Sequence, residues 1–223
     1  MTLTQHHTDH QLKQLIAEEL EWTPNVKADR VGVSINDGAV TLSGQVQTYP
    51  EKHAAVSAAL RVRGVSAVAD EIEVHNDWAP RQDADLAREA AEVLARTVYA
   101  PSDSVKAEVH DHVVTLSGQV AWNYQREALA HAVSALPGVH GVTDTITLKP
   151  RITITAAEAK AKIAAALRRS ALVDAERIHV DVPGDTITLI GNVSSWAEHR
   201  QASTTAWAAP GAVHVENKLH VTF

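Results

Sequence analysis

His110 and His112 flank one aspartate and would point to one side of an extended segment, an arrangement in which two imidazoles can share a metal ion. No third ligand is assigned to them, so the expectation is two solvated histidines at a hairpin tip, with no metal and no cofactor. Cysteine is absent, which removes thiolate nucleophiles, disulfides and every cysteine-ligated zinc or iron–sulfur site. No Gly-x-Ser-x-Gly, His-Glu-x-x-His, P-loop or Gly-x-Gly-x-x-Gly is present; no catalytic residue is assigned, and the protein is expected not to be an enzyme. Gly138-Val139-His140-Gly141 has the form of a loop that clamps an RNA backbone, yet the formal charge is −7, from 20 basic and 27 acidic side chains. That sign opposes phosphate neutralisation and excludes nucleic acid as a partner.

The stronger candidates are aromatic and basic. Tyr49, then Trp122 with Tyr124, then Trp196 stand four to six residues after Gly44, Gly118 and Gly191. His53, Arg126 and Arg200 stand eight or nine residues after the same glycines. An aromatic beside a cation at a loop edge suits an anionic membrane interface or a protein partner. The competing reading is a hydrophobic staple, each ring packed on its own helix to fix the angle at which the chain enters it. Charge is uneven: residues 1–78 carry 6 basic and 11 acidic groups, 79–150 carry 6 and 9, and 151–223 carry 8 and 7. An anionic surface would therefore meet the last third most easily.

What positions these residues is a threefold repeat. Gly44, Gly118 and Gly191 are 74 and 73 residues apart, as are Gly64, Gly138 and Gly211. Around the first set stand Val40-Thr41-Leu42-Ser43-Gly44-Gln45-Val46, Val114-Thr115-Leu116-Ser117-Gly118-Gln119-Val120 and Ile187-Thr188-Leu189-Ile190-Gly191-Asn192-Val193. The repeats span 9–76, 83–149 and 155–223, and each reads as helix, strand, strand, helix, strand. Leu12, Ile16 and Leu20 place one apolar face on the first helix, as do Ala159, Ile163 and Leu167. Thr8 with Gln11, and Thr155 with Glu158, have capping-box spacing. Alternation in Val31, Val33 and Ile35 predicts a half-buried strand, and Asp37-Gly38 supplies a hairpin tip. Gly44 interrupts an apolar strand face, as the close approach of a helix backbone or a bulge would require. The second helix is expected to end at Gly64, Gly138 or Gly211. Asp70, Asp144 and Asn217 fall on an otherwise apolar face; Asp and Asn share only an acceptor oxygen, which predicts that each accepts a nearby backbone N–H. Trp78 is expected to be buried between the first two copies.

These motifs, (Val/Ile)-Thr-Leu-x-Gly-x-Val and then Gly-Val-x-x-Val-x-(Asp/Asn)-x-(Ile/Leu)-x-Val, resemble the BON domain, found in osmotically inducible periplasmic proteins of bacteria. The resemblance covers nearly the whole chain, with Gly211-Ala212-Val213 departing from the Gly-Val of the other copies. It implies an α+β fold of three tandem BON-like domains, each a small mixed three-stranded sheet covered on one face by two helices. It also implies a non-enzymatic role in osmotic or envelope stress, with phospholipid association. A soluble scaffold or chaperone-like protein with polypeptide partners is the alternative. No run reaches the roughly 20 apolar residues of a membrane span, and the start lacks the basic and apolar regions of an export signal. The expected location is cytoplasmic, with the periplasm as the family-based alternative.

Overall fold

The structure, a computed structural model, describes residues 8–75, 81–98, 104–152 and 154–222; Trp78 lies outside them. The first copy runs α1 (Asp9–Glu21), β1 (Val31–Asn36), β2 (Ala39–Val46), α2 (Tyr49–Arg61) and β3 (Ala67–Val74). The second runs α3 (Asp83–Arg96), β4 (Val105–His110), β5 (Val113–Val120), α4 (Asn123–Ser134) and β6 (Gly141–Leu148). The third runs α5 (Ala156–Arg169), β7 (Ile178–Asp181), β8 (Thr186–Val193), α6 (Trp196–Trp207) and β9 (His214–Val221).

Local chemistry starts each copy. Thr8 and Gln11 exchange hydrogen bonds as a capping box at α1, and Thr155 and Glu158 do so at α5. The α1 stripe Leu12, Ile16 and Leu20 is buried, as is Ala159, Ile163 and Leu167 on α5. The tip between β1 and β2 places Asp37 and Gly38 at φ 49° and 74°, the sense of twist that a two-residue hairpin turn needs. Asp9, the first residue of α1, locks that tip by accepting the N–H groups of Asp37 and Gly38 at 3.0 and 3.2 Å. Asp83 does the same for Asp111 and His112 at 2.9 and 3.0 Å.

In each copy the first two strands pair antiparallel and the second and third pair parallel, with the middle strand in the centre. Alternation sends Val40, Leu42 and Val46 of β2 inward with Ile72 of β3, onto Ala55, Ala58 and Ala59 of α2. The other sheet face stays wet, so two helices over one face close each core.

The repeated strand glycine serves backbone approach. A Cβ on Gly44, Gly118 or Gly191 would lie 2.1, 2.1 or 2.0 Å from the carbonyl oxygen of Arg30, Ser104 or Arg177, just before the neighbouring strand. Their φ values of 119°, 138° and 144° also favour glycine. The approaching group thus belongs to the chain entering the first strand of the hairpin and not to either covering helix. The second helices end sooner than the glycine spacing predicts, at Arg61, Ser134 and Trp207. A four-residue turn intervenes: the N–H of Val65, Val139 and Ala212 donates to the carbonyl of Val62, Leu136 and Ala209. Its third residue is the glycine, with φ of 101°, 92° and 82°, and Pro137 and Pro210 occupy the second place in two copies.

The copies meet through their second helices, head to tail. Tyr49, Pro50 and His53 at the start of α2 face Ala130, His131 and Ser134 of α4 across a crevice of about 470 Å³. Arg126 near the start of α4 stacks on the Trp207 ring at the end of α6, 4.7 Å from its centroid. Trp196 at the start of α6 donates its indole N–H to the Val65 carbonyl beyond α2, at 2.8 Å. Leu60, Ser134 and Trp207 hold one repeat position and all lie at these junctions. Copy one reaches two, two reaches three and three reaches one: the contacts form a closed cycle.

Candidate functional site

Three polar positions recur on the second helix and third strand of every copy. The first lies seven residues after the strand glycine. Glu51 is 6% exposed and accepts the N–H of Lys27 at 3.0 Å and of Gln47 at 3.1 Å. Glu198 is 5% exposed and accepts the N–H of Asp174 at 2.8 Å and both N–H and hydroxyl of Ser194 at 2.7 and 2.8 Å. Burial pushes the Glu198 carboxyl up, but the donors from Ser194 and Asp174, with Arg177 nearby, outweigh it and hold the pKa below the ordinary carboxylate value. Copy two carries Gln125, whose amide oxygen accepts the N–H of Ala121 and Trp122 at 3.1 and 3.0 Å. At the sequence position of Lys27 and Asp174 copy two has Pro101, which has no N–H to offer. Carboxylate and missing donor change together. The signal was present as Thr48-x-x-Glu51 and Ser195-x-x-Glu198, a capping-box spacing that the reading for the first helices did not extend to the second.

The second and third positions form a pair, eight and twenty-six residues after the glycine. Lys52 meets Asp70 at 3.3 Å, Arg126 meets Asp144 at 3.4 Å, and in copy three the Asn217 amide nitrogen approaches His199 Nδ1 at 3.5 Å and donates to the His199 carbonyl at 3.2 Å. The acceptor oxygens do what the Asp/Asn exchange predicted: Asp70, Asp144 and Asn217 accept the N–H of Ile72, Ile146 and Leu219 at 3.1, 2.9 and 3.1 Å. Burial, with the Arg200 charge beside it, pushes the His199 pKa below its ordinary value. Lys52 and His199 escaped the sequence reading, although their fixed distance to Asp70 and Asn217 could have found them.

The seven aromatic and basic candidates do not gather at one place. Tyr49 stands edge-on to His53, ring centroids 4.9 Å apart, with its hydroxyl 3.1 Å from Nε2, both on the crevice between copies one and two. Trp122 is half-buried, and Tyr124 is 54% exposed. Arg126 is shared between Asp144 and Trp207 at the junction of copies two and three. Trp196 is fixed at the junction of copies three and one, while Arg200 is exposed. Trp207, not singled out in the sequence, carries one junction.

Asp83, His110 and Asp111 place ligand atoms within 4.8 Å of one another, the group among the described residues that could hold a cation. Asp83 already accepts two turn N–H groups; that from His112 does most to hold its pKa below the ordinary value. Asp9 makes the same clamp in copy one without a histidine, so the turn accounts for the carboxylate. His112 stacks on His140, centroids 4.6 Å apart, and burial with the neighbouring His112 and His75 charges lowers the His140 pKa. The arrangement as a whole holds helices to strands and copies to one another.

The chain is 30% identical over 130 residues to osmotically-inducible protein Y of Escherichia coli (strain K12), a stretch covering 56% of this chain and 65% of that protein. The match thus spans less than two thirds of the relative. Among solved structures, the C-terminal domain of CdsD, a structural protein of the type III secretion system of Chlamydia trachomatis, aligns at 15% identity over 94% of this chain and 96% of that one, with a TM-score of 0.28. The PrgH periplasmic domain aligns at 13% identity over 87% and 96%, with a TM-score of 0.24. Superpositions this weak carry no argument. The BON domain model, by contrast, matches residues 8–76, 82–150 and 155–222, and the repeated glycines, paired strands and two covering helices fall inside each match: the chain belongs to the BON-domain family, with three copies in tandem.

Proposed function

We propose that this protein is a non-enzymatic binding module of the osmotic or envelope stress response that associates with anionic phospholipid surfaces. The observation that carries the reading is that the polar positions recurring in all three copies bond to groups of their own copy, as Glu198 does and as Arg126 does with Asp144 while also stacking on Trp207 of copy three. The recurring polarity is a scaffold, which leaves function to the outer surface. Similarity to an osmotically inducible protein supports the stress assignment and weighs toward the periplasmic alternative. No helix among the described residues is long and apolar enough to cross a membrane, so association would be peripheral.

A soluble scaffold or chaperone-like role with polypeptide partners is the second reading. It is favoured by a groove of about 620 Å³ between α5 and α6, floored by Ile163, Ala165 and Ala209 and edged by Lys162 and Arg169. Flotation with vesicles of phosphatidylglycerol and phosphatidylcholine at low and high salt separates the two. Salt-sensitive flotation supports the membrane reading; protein that stays at the bottom in both, but carries a bound polypeptide by native mass spectrometry, overturns it.

A further inference from the structure

In copy one the ends of the two helices are tied together. Arg61, the last residue of α2, donates to Glu19 of α1 at 2.7 Å and to the Thr23 hydroxyl at 2.9 Å. Copy three holds Ala208, Ala166 and Ser170 at the same repeat positions. The side chains that would span the helices are reduced to two methyl groups and a short hydroxyl, and all three line the groove of about 620 Å³ between α5 and α6. Each wall is one helix face: Lys162, Ala166 and Arg169 recur at i, i+4 and i+7 on α5, and Gln201, Thr204 and Ala208 at i, i+3 and i+7 on and just after α6. This is the spacing by which one helix meets another. The rim is cationic. Lys162 and Arg169 stand two turns apart, about 10 Å along α5, and none of the described residues that line the groove is acidic. Arg169 makes no ion pair among the described residues, and Lys162 stands one turn from Glu158, whose carboxylate is taken up by Thr155.

We infer that this groove seats an amphipathic helix of a partner polypeptide, apolar on the face it presents and acidic along the flank beside α5; the inference rests on the polypeptide-partner reading above. Charge complementarity chooses the flank. Two cations two turns apart on one wall match carboxylates seven residues apart on a helix packed alongside. A single-chain carboxylate would meet one of them and lay its tail past the other. A bilayer has the wrong shape, since a recess between two helices accepts a ridge. A second copy of this chain has no such ridge to give: every α-helix among the described residues already buries its apolar stripe in its own core, as α1 does with Leu12, Ile16 and Leu20.

The test uses the full chain and a fluorescent synthetic peptide of about 14 residues, as long as α5, with leucines at helical spacing and glutamates seven residues apart on one flank. By anisotropy, the wild type should bind it about tenfold or more tighter than a scrambled peptide of the same composition, the difference that burying one leucine makes, and binding should weaken with salt. Lys162→Glu with Arg169→Glu, both exposed, should weaken binding about tenfold or more and turn preference to a peptide with lysine in place of glutamate, at an unchanged melting temperature. Ala166→Glu with Ala208→Arg rebuilds the copy-one bridge in copy three and should abolish binding; if the melting temperature of that variant falls, the charge reversal decides. Equal binding of the intact and scrambled peptides, or a charge reversal without effect, overturns the groove. Native mass spectrometry then separates the two claims. Polypeptide retained alike by the wild type and the bridged variant leaves the polypeptide reading standing while the groove falls, and a wild type that retains none and binds no peptide sinks both.

Discussion

Copies one and two tie the second helix to the third strand with ion pairs, Lys52–Asp70 and Arg126–Asp144, where copy three has His199 and Asn217. The geometry survives the loss of both charges. What all three retain is an oxygen that accepts a backbone N–H two residues along the strand and a polar group on the helix above it. Charge is therefore the variable part of the device and hydrogen-bond capacity the fixed part, in keeping with the small net worth of partly exposed ion pairs. Changes where the copies agree should cost most, and changes where they differ should cost least.

The largest effect is expected at the strand glycine. In Gly118→Ala the new Cβ would lie 2.1 Å from the Ser104 carbonyl and 2.9 Å from Val105 Cα, at a φ of 138°. Backbone must move, and copy two should lose about 3 kcal/mol. Calorimetry should show one early-melting unit; an unaltered thermogram would show that this approach is not tight. Next comes Glu198→Ala, which strands the N–H groups of Asp174 and Ser194 in a site where the side chain was 5% exposed. About 2–3 kcal/mol should be lost. Glu198→Gln should cost less, because Gln125 already serves two N–H groups through one oxygen; equal losses in the two variants would mean that the charge itself is required.

A smaller effect should follow from cutting the cycle at one point. Trp196→Phe keeps an aromatic ring, smaller than the indole, and removes the donor to the Val65 carbonyl, so roughly 1 kcal/mol should be lost, with faster amide exchange at the α2 terminus and in copy three than in copy two. Uniform acceleration over all three copies would instead mean that the junction has no local role.

Much of the individual domain was legible in the sequence because its determinants are local or periodic. The 74- and 73-residue spacings, the Thr8–Gln11 and Thr155–Glu158 boxes and the Asp-to-Asn exchange each fixed a feature by spacing or by shared chemistry. The second-helix ends were misplaced by three or four residues because glycine with positive φ serves a turn as well as a helix cap. The surroundings of the aromatic and basic candidates were out of reach for a different reason. Arg126 stacks on Trp207, and the residues equivalent to Trp207 are Leu60 and Ser134. Junctions built from unlike side chains leave no periodic signal, so whether a ring at a helix start faces solvent, its own helix or another copy depends on how the copies close.

The smallest effect is also the sharpest test of the comparison, because it should shrink as pH falls. In the wild type the His199 pKa is lowered in the fold by burial and by Arg200. The unfolded chain therefore takes up the proton first, and this contribution, present above about pH 6.5, is lost as pH falls. Glu198 acts in the same direction lower down: its depressed pKa contributes stability above the ordinary carboxylate range that disappears as pH drops through the folded value. Asn217→Asp places a carboxylate beside His199 and removes the amide that donates to the His199 carbonyl. At pH 8, with His199 neutral, the variant should be less stable than wild type by roughly 1 kcal/mol. The new carboxylate should raise the His199 pKa, so that this term is complete below the unfolded value and fades as pH rises through the folded one. Between pH 8 and 5.5 the gap to wild type should close by about 0.5 kcal/mol or more. Melting curves of both proteins across that range decide it: a gap that stays constant would show that His199 does not sense position 217, and that copy three is not a neutral version of the pair in copies one and two.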